Sequence, residues 1–238
     1  MRDYIRMLGL PAFWDAFGDL DHSLRTGEPA FTKSHPEGVF GYLAGHPEES
    51  RIFNASMTSK SHGDIAAILP AYDFSQFAVV ADIGGGRGHL LRAILKRSPM
   101  TLGILFDQPH VIADVVPEKD EKLSLVGGSF FADPIPEANA YLLMNIIHDW
   151  PDKECIKILS AIRNAMPQDA RVLIIETVVP STPEPHLSKE LDIAMMALPG
   201  GMERTQEEYS TLASKCALRL VSAIATISPY SILEMAAA

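Results

Sequence analysis

The stretch Phe77-Ala78-Val79-Val80-Ala81-Asp82-Ile83-Gly84-Gly85-Gly86-Arg87-Gly88 decides the fold class of this chain. Its first five residues are apolar without polar alternation, which is typical of a strand buried on both faces of a parallel sheet. The glycines that follow allow positive φ and let the backbone approach a ligand closely. The sequence therefore predicts a strand, a glycine-rich turn and a helix that ends near Arg97.

Strands and helices alternate downstream of this turn, which predicts an α/β, Rossmann-like, doubly wound and mostly parallel sheet. Two closing strands are separated only by a short turn at Pro229, so we expect an antiparallel C-terminal strand. The predicted strands are 77–81, 102–106, 123–126, 140–147, 172–179, 218–226 and 231–235, and the predicted helices lie near Val111 and at 152–166, 188–198 and 205–216.

A helical segment precedes the sheet. Apolar residues recur there at close to helical spacing, as in Phe13, Phe17 and Leu20, and no stretch has the pattern of a strand. We therefore predict a helical lead segment, residues 1–70, in front of an α/β domain, residues 71–238. The predicted helices of the lead segment are 11–24, 38–44 and 47–69.

Two acidic residues indicate which ligand the glycine-rich turn binds. Asp107 ends the second predicted strand, where an acidic residue can accept hydrogen bonds from both hydroxyls of a ribose. Asp82 opens the turn, where it would repel a pyrophosphate but suit a cationic ammonium group. These residues favour S-adenosylmethionine (SAM) over NAD as the cofactor. A tight turn without a ligand is the remaining alternative.

The segment around His148 follows the fourth predicted strand. Ligands of open α/β sheets bind at the carboxyl ends of the strands, and a histidine there can remove a proton from a hydroxyl group. Nearby carboxylates could orient its ring. The alternative is a histidine that caps the next helix or is buried in the core. No Asn/Asp-Pro-Pro-aromatic sequence, expected of DNA or protein-glutamine amine methyltransferases, follows this strand.

Composition excludes several classes of protein. The net charge of −10 argues against nucleic acid as a partner, because phosphates call for clustered Lys and Arg. Cys155 and Cys216 are far apart, so neither a disulfide framework nor a metal site is expected, and a cytoplasmic location fits. Apolar runs fall well short of the roughly 18 residues that span a bilayer, so no membrane contact is expected.

Six segments resemble the plant caffeate-type and acetylserotonin-type O-methyltransferases and their bacterial relatives. The resemblance covers nearly the whole chain. It implies a SAM-dependent catalytic domain over 71–238 that methylates a hydroxyl of a small, aromatic or polyketide-like molecule. The segments are Phe53-Asn54-Ala55-Ser56-Met57, Asp82 to Gly88, Phe106-Asp107-Gln108-Pro109-His110-Val111, Gly127-Gly128-Ser129-Phe130-Phe131, His148-Asp149-Trp150 and Pro199-Gly200-Gly201-Met202-Glu203-Arg204-Thr205.

The resemblance implies a role for individual residues. His148 matches the general base, and Glu176 and Glu203 match two acidic residues that flank it. The candidate cofactor contacts are Asp82, Gly84, Gly86, Asp107, Ser129 and Phe130. The candidate substrate contacts are Met57, Asp149, Met195 and Met196, although the methionines could equally fill the core. No metal is implied.

Three departures from the family pattern are visible. Ser129 stands where the family usually has an aspartate that binds the adenine amino group, and Met144 stands where it usually has Lys or Arg. The family also carries an N-terminal winged-helix dimerisation domain, and this chain begins after it. The apolar residues crowded into 4–17 therefore predict either a homo-oligomer formed through these helices or a mobile lead segment.

Two alternatives to hydroxyl methylation stay open at this point. One is a SAM-assisted hydroxylase or decarboxylase on the same fold. The other is a catalytically silent or regulatory fragment that binds SAM.

Overall fold

A computed structural model describes the backbone of residues 2–117 and 121–238, and all of their side chains except those of 58–62. Its core is one sheet. The strands are β1 (Val79–Ile83), β2 (Leu102–Asp107), β3 (Leu123–Gly127), β4 (Ala140–Met144), β5 (Arg171–Thr177), β6 (Leu218–Ala225) and β7 (Tyr230–Ala237).

Along the described part of the chain, five helices precede the first strand and the others lie between strands. They are α1 (Arg2–Leu8), α2 (Pro11–Gly18), α3 (Leu20–Thr26), α4 (Gly38–Gly45), α5 (Pro47–Ile68), α6 (His89–Arg97), α7 (Pro109–Ala113), α8 (Asp152–Ala165), α9 (Leu187–Ala197) and α10 (Gln206–Ser214), with short 3₁₀ turns at Ala30–Lys33, Phe74–Gln76 and Ile147–Asp149.

The strand order of the described sheet is β3-β2-β1-β4-β5-β7-β6. Strands β1 to β5 run parallel, whereas β7 is antiparallel to both β5 and β6. The predicted fold class, including the antiparallel C-terminal strand, is confirmed. The chain adds β2 and β3 on one side of β1 and then crosses to β4 on the other, so the carboxyl ends of β1 and β4 border a crevice where such sheets bind ligands.

Most predicted elements end within two residues of the observed ones, but two differ more. Strand β4 ends at Met144 rather than 147, because Asn145 adopts φ +55° and the next residues form the Ile147–Asp149 turn. The single helix predicted over 11–24 is two helices, α2 and α3, which meet at Asp19, whose φ and ψ of −95° and 17° are not helical. The first break matters for function, since it turns His148 out of the strand.

The central strands are buried on both faces, as their apolar sequences require. Ala140 to Leu143 of β4 and Val172 to Ile175 of β5 are fully buried. One apolar cluster on the sheet includes residues of α8 and α10, and another includes residues of α5 and α6. The burial of apolar surface in these two clusters is the main contribution to the free energy that favours folding. The sheet therefore provides a rigid platform for the loops at its carboxyl edge.

The lead segment has a small core of its own. Phe13 and Phe31 are each 1% exposed and meet edge to face with ring centroids 5.7 Å apart. This cluster also contains Ala197 and Leu198, so the first helices pack onto α9. The division at residue 70 stays a prediction, because the lead segment shares this core with residues far along the chain.

Candidate active site

The glycine-rich turn between β1 and α6 lies at the crevice. Gly84 has φ +70° and Gly86 has φ +58°, which glycine adopts without strain. Gly84 donates its N–H to the carbonyl of Phe106 over 2.8 Å, and a Cβ on Gly84 would lie 2.5 Å from Cδ1 of Ile146. A Cβ on Gly86 would meet no atom within 4 Å. The glycine-rich turn is therefore held tightly against the segment that follows β4 at Gly84 and faces open space at Gly86.

Asp107 ends β2 beside this turn. Its Oδ2 accepts the N–H of Gly86 at 2.7 Å, and its Oδ1 accepts the N–H of Gln108 at 2.6 Å. Burial raises the pKa of Asp107, and these two N–H donors oppose that rise. Each carboxylate oxygen has two lone pairs, so both can accept a further hydrogen bond from a ligand. The predicted role on a ribose requires this capacity.

Asp82 lies near the end of β1, just before the glycine-rich turn, and its exposed fraction is only 2%. A Cβ on Gly85 would lie 2.4 Å from Cγ of Asp82, so the carboxyl group packs against the backbone of the turn. Burial, together with the charge of Asp107, raises the pKa of Asp82 to about 7. With so little of the side chain exposed, an effect of Asp82 on a cationic ligand would act mainly through its charge.

Four aromatic side chains form a cluster that reaches the glycine-rich turn through Phe130: Phe40, Phe130, Phe131 and Trp150. A Cβ on Gly84 would lie 3.8 Å from Cε1 of Phe130. The ring of Trp150 meets those of Phe130 and Phe131 edge to face, with centroids 6.0 and 4.8 Å apart, and stacks on Phe40 at 5.7 Å. Sequence reasoning missed Phe40, because nothing in the sequence connects α4 to the crevice.

Ser129 precedes Phe130. Its N–H donates to Oδ2 of Asp133 over 2.8 Å, and its Oγ accepts the N–H of Phe131 at 3.3 Å. The serine hydroxyl thus stabilises its own turn, and a contact with an adenine group stays a prediction. Met144 is partly buried against the apolar core.

His148 lies on the 3₁₀ turn that follows β4 and is 6% exposed. Its Nδ1 lies 2.8 Å from Oε1 of Glu203, and its Nε2 lies 3.6 Å from Oδ1 of Asp149. Glu203 is completely buried at its side chain, whereas that of Asp149 is 21% exposed. The ring is therefore fixed through Nδ1, and Nε2 is the nitrogen on the side of the more exposed carboxylate.

The basicity of His148 results from opposing effects. Burial lowers the pKa of the imidazole, but the charges of Asp149, Glu203 and Glu176 more than offset this and raise the pKa to about 9. The hydrogen bond that Nδ1 donates to Glu203 contributes to the rise. An imidazole held in this way is a stronger base than free histidine, whose pKa is about 6.5.

Glu176, at the end of β5, binds the backbone of the turn that carries His148. Its Oε1 accepts the N–H groups of Ile146, Ile147 and His148 at 3.0, 2.6 and 3.1 Å. Its Oε2 accepts the hydroxyl of buried Tyr209. Glu176 therefore lies beneath His148 and caps its turn, rather than bonding the ring as Glu203 does. Sequence reasoning missed Tyr209, which has no motif of its own.

Glu203 is itself held on several sides. Its Oε2 accepts the hydroxyl of Thr177 at 2.5 Å, and its N–H donates to Oδ1 of Asp192 over 2.8 Å. Two residues earlier, a Cβ on Gly201 would lie 1.9 Å from the carbonyl oxygen of His148. Only glycine permits this approach between the Glu203 segment and the His148 turn.

The three candidate methionines lie on two helices. Met57, on α5, packs against the core of the lead segment. Met195 and Met196, on α9, are partly buried. A part for them in a substrate pocket stays a prediction.

Two features are absent from the described residues, 2–117 and 121–238. None of their helices is both long and apolar enough to cross a bilayer. Within the same residues, no group of three or more His, Cys, Asp or Glu side chains could hold a metal ion.

Comparison with known proteins identifies the class that this fold and site define. A family model described as an O-methyltransferase domain matches residues 17–219. The chain belongs to this family of O-methyltransferase domains, confirming the predicted resemblance.

Similar proteins include phenazine O-methyltransferase PhzM of Lysobacter antibioticus, 41% identical over 92% of this chain and 66% of that protein. The 3-amino-4-hydroxybenzoate 4-O-methyltransferase of Streptomyces cremeus is 36% identical over 93% of this chain and 62% of that protein. The chain thus spans a little under two thirds of the length of these relatives. A relative from Streptomyces davaonensis, 34% identical over 93% of this chain and 66% of its own length, is an 8-amino-8-demethylriboflavin N,N-dimethyltransferase.

Comparison with solved structures supports membership of the same family. LaPhzM superposes with a TM-score of 0.94 at 39% identity, over all of this chain and 73% of that one. The methyltransferase CalO1 of calicheamicin biosynthesis, in its S-adenosylhomocysteine-bound form, superposes with a TM-score of 0.88 at 32% identity, over 100% and 72%. The cofactor of the family is SAM.

Proposed function

We propose that this domain transfers a methyl group from SAM to a hydroxyl group of a small aromatic molecule, with His148 as the general base. One observation carries the proposal: Nδ1 of a buried His148 is bound to Glu203 over 2.8 Å at the carboxyl edge of the sheet. A histidine whose Nδ1 is hydrogen-bonded to a carboxylate presents its other nitrogen, Nε2, as the base.

The glycine-rich turn fits SAM. Gly86 leaves open space, Asp107 retains acceptor capacity beside it, and Phe130 offers an apolar ring next to Gly84. The cofactor combines a ribose, an adenine and a cationic tail, and the acidic pair Asp82 and Asp107 suits that positive charge. We assign Asp107 to the ribose hydroxyls and Phe130 to the adenine. When bound, SAM supplies a methyl group on a positively charged sulfur.

His148 then has one chemical task, which is to remove the proton of the acceptor hydroxyl at Nε2. The pKa of about 9 lies close to that of a phenol such as tyrosine, about 10, so the proton transfer is nearly balanced in free energy. Glu203 stabilises the imidazolium that forms, and Glu176 keeps the turn in place. We assign Asp149, whose Oδ1 lies 3.6 Å from Nε2, to a substituent beside the hydroxyl.

The acceptor is proposed to be aromatic, without an anionic substituent beside the reacting hydroxyl. The names of two relatives, which act on a phenazine and on an aminohydroxybenzoate, support an aromatic ring. The carboxylates of Asp149, Glu176 and Glu203 would disfavour an anionic group near the reacting oxygen. The N,N-dimethyltransferase among the relatives supports an arylamine as the second candidate acceptor.

Mass spectrometry after incubation with methyl-labelled SAM tests the proposal. The panel pairs phenols, naphthols and hydroxylated tricyclic aromatics with the matching arylamines. We expect methyl ethers from the wild type and, for His148→Asn, a loss of turnover of roughly 10²–10⁴-fold with unchanged SAM affinity in calorimetry.

Other results would redirect the proposal. Methylation of the amines alone would support the second candidate. A hydroxylated or decarboxylated product would show different chemistry on the same fold. SAM binding without any product would support a silent or regulatory domain.

We also propose that the chain works in the cytoplasm and self-associates through its lead segment. Cys155 and Cys216 are free thiols, which suits a reducing compartment. Ile5, Trp14 and Leu24 are 61%, 68% and 69% exposed, although neighbouring side chains are buried. Light scattering over a concentration series should show a mass increase that Trp14→Ser reduces. A monomer at all concentrations would refute self-association.

A further inference from the structure

Arg204 is a charged side chain in almost complete burial, with an exposed fraction of 1%. A buried guanidinium is costly unless its N–H groups are paired. Arg204 takes no part in the proposed proton transfer, so the burial of its side chain needs another explanation.

The hydrogen bonds of Arg204 join two separate segments. Nη1 donates to the carbonyl of Ile147 over 3.1 Å and to that of Met202 over 3.3 Å, and Nη2 donates to the carbonyl of Trp150 over 2.9 Å. Ile147 and Trp150 flank His148, whereas Met202 immediately precedes Glu203. One planar group therefore bonds both segments that carry the His148–Glu203 pair.

The backbone on either side of Arg204 is anchored as well. Its carbonyl accepts the N–H of Val179 at 2.9 Å, just beyond the end of β5. The N–H of Met202 donates to the carbonyl of His148 over 2.9 Å. The guanidinium is thus attached to the sheet on one side and to the His148 turn on the other.

An ion pair alone does not account for this arrangement. Asp152 accepts Nε and Nη2 of Arg204 on one oxygen, at 3.2 and 2.9 Å, but its side chain is 53% exposed. A pair with a half-exposed carboxylate contributes little to stability. The carbonyl bonds, which need the forked geometry of arginine, are the feature that lysine could not reproduce.

We propose that Arg204 is a positioning residue that sets the distance between His148 and Glu203. This inference rests on the proposed function. Lysine at this position keeps the charge but loses the fork, so the two segments should separate slightly. A longer Nδ1–Oε1 distance weakens the bond to Glu203 and makes His148 less basic.

The test compares Arg204→Lys with Arg163→Lys. Arg163 also donates to a carbonyl, that of Ala217 over 3.2 Å, and to the side chain of Gln168, and neither partner belongs to the site. The first readout is an NMR titration of the His148 imidazole, which needs no acceptor. The others are the thermal midpoint, the Kd for SAM and, with an acceptor, kcat and KM. Arg204→Gln, which keeps two N–H donors, serves as a second variant in case the lysine variant does not fold.

We expect the midpoint of the His148 titration to fall in either Arg204 variant that folds and to stay unchanged in Arg163→Lys. The kcat should fall about tenfold to a hundredfold, as for a small misplacement of a catalytic group, with the Kd for SAM unchanged. An unchanged His148 titration, with only the thermal midpoint lowered, would overturn the inference. If the wild type methylates nothing, the proposed function fails, while the NMR result still decides the role of Arg204.

Discussion

Nδ1 of His148 lies 2.8 Å from Oε1 of Glu203, and both side chains are almost fully removed from solvent. When Nδ1 carries the proton, it donates a hydrogen bond to the carboxylate of Glu203, and the lone pair of Nε2 can then accept the proton of a hydroxyl group. In the proposed mechanism, the tautomer of His148 is thus determined by a residue that follows it by more than fifty positions in the sequence.

Replacing Glu203 with glutamine should change both the rate and its pH dependence. The amide can donate to Nδ1 and favour the wrong tautomer, so turnover should fall about 10²-fold or more. Since Glu203 raises the pKa of His148, the remaining activity should reach its plateau at lower pH than in the wild type. Exposed Glu207→Gln is the matched control. A profile of kcat/KM against pH that is the same in both variants would contradict the assignment.

The wild-type profile has a definite direction. His148 must be neutral to act as a base, and its pKa in the ligand-free protein is about 9. The kcat/KM for an un-ionised phenol should therefore rise with pH up to about 9, because the fraction of neutral imidazole rises. A kcat/KM that stays constant above pH 6 would show that the three carboxylates do not raise the pKa of His148 in solution.

Gly201 should tolerate no side chain. A Cβ there would lie 1.9 Å from the carbonyl oxygen of His148, so Gly201→Ala must push the His148 turn away from Glu203. Turnover should fall by about 10²-fold, while SAM affinity in calorimetry should fall far less, because the atoms nearest to a Cβ on Gly201 belong to the backbone of His148, Asp149 and Trp150 and not to the glycine-rich turn. Gly18→Ala, where a Cβ would meet no atom within 4 Å, is the control. Equal activity of the two variants would show that the His148 position is not critical.

Most of the sheet could be predicted because buried parallel strands have a strong local signal, as in Val79 to Ile83. The end of β4 could not, because the left-handed conformation of Asn145 depends on its surroundings rather than on local sequence. The same limit applies within the site. His148 and Asp107 follow from their places after strands, but the bonds of Glu176 to three N–H groups and of Arg204 to three carbonyls exist only in the folded chain.

Asp107 should contribute strongly to SAM binding. Asp107→Asn keeps an oxygen that can accept the Gly86 N–H but loses the charge, and weaker hydrogen bonds to the ribose should cost on the order of 1.5–3 kcal/mol. Calorimetry with SAM measures this loss, with exposed Asp114→Asn as the control. Wild-type affinity in Asp107→Asn would remove this residue from the cofactor site.

Cofactor affinity should also depend on pH through Asp82. Its pKa of about 7 in the ligand-free protein means that it is largely protonated at pH 6 and ionised at pH 8. A cationic ligand binds the ionised form better, so SAM affinity should increase from pH 6 to pH 8 and binding near pH 7 should release protons. Calorimetry in buffers of different ionisation enthalpy detects that release. Asp82→Asn should abolish it, and proton release that persists in this variant would point to another group.

The central claim is that His148 removes the acceptor proton, and the most direct measurement compares two phenols in His148→Asn and in the wild type. One phenol is un-ionised at the assay pH, and the other carries electron-withdrawing groups that ionise it fully. We predict a loss in kcat/KM of roughly 10²–10⁴-fold for the first phenol and a much smaller loss for the second, because an ionised oxygen needs no base and loses only its attraction to the imidazolium. An equal loss for both phenols, or no loss for either, would contradict the role of His148 as the base.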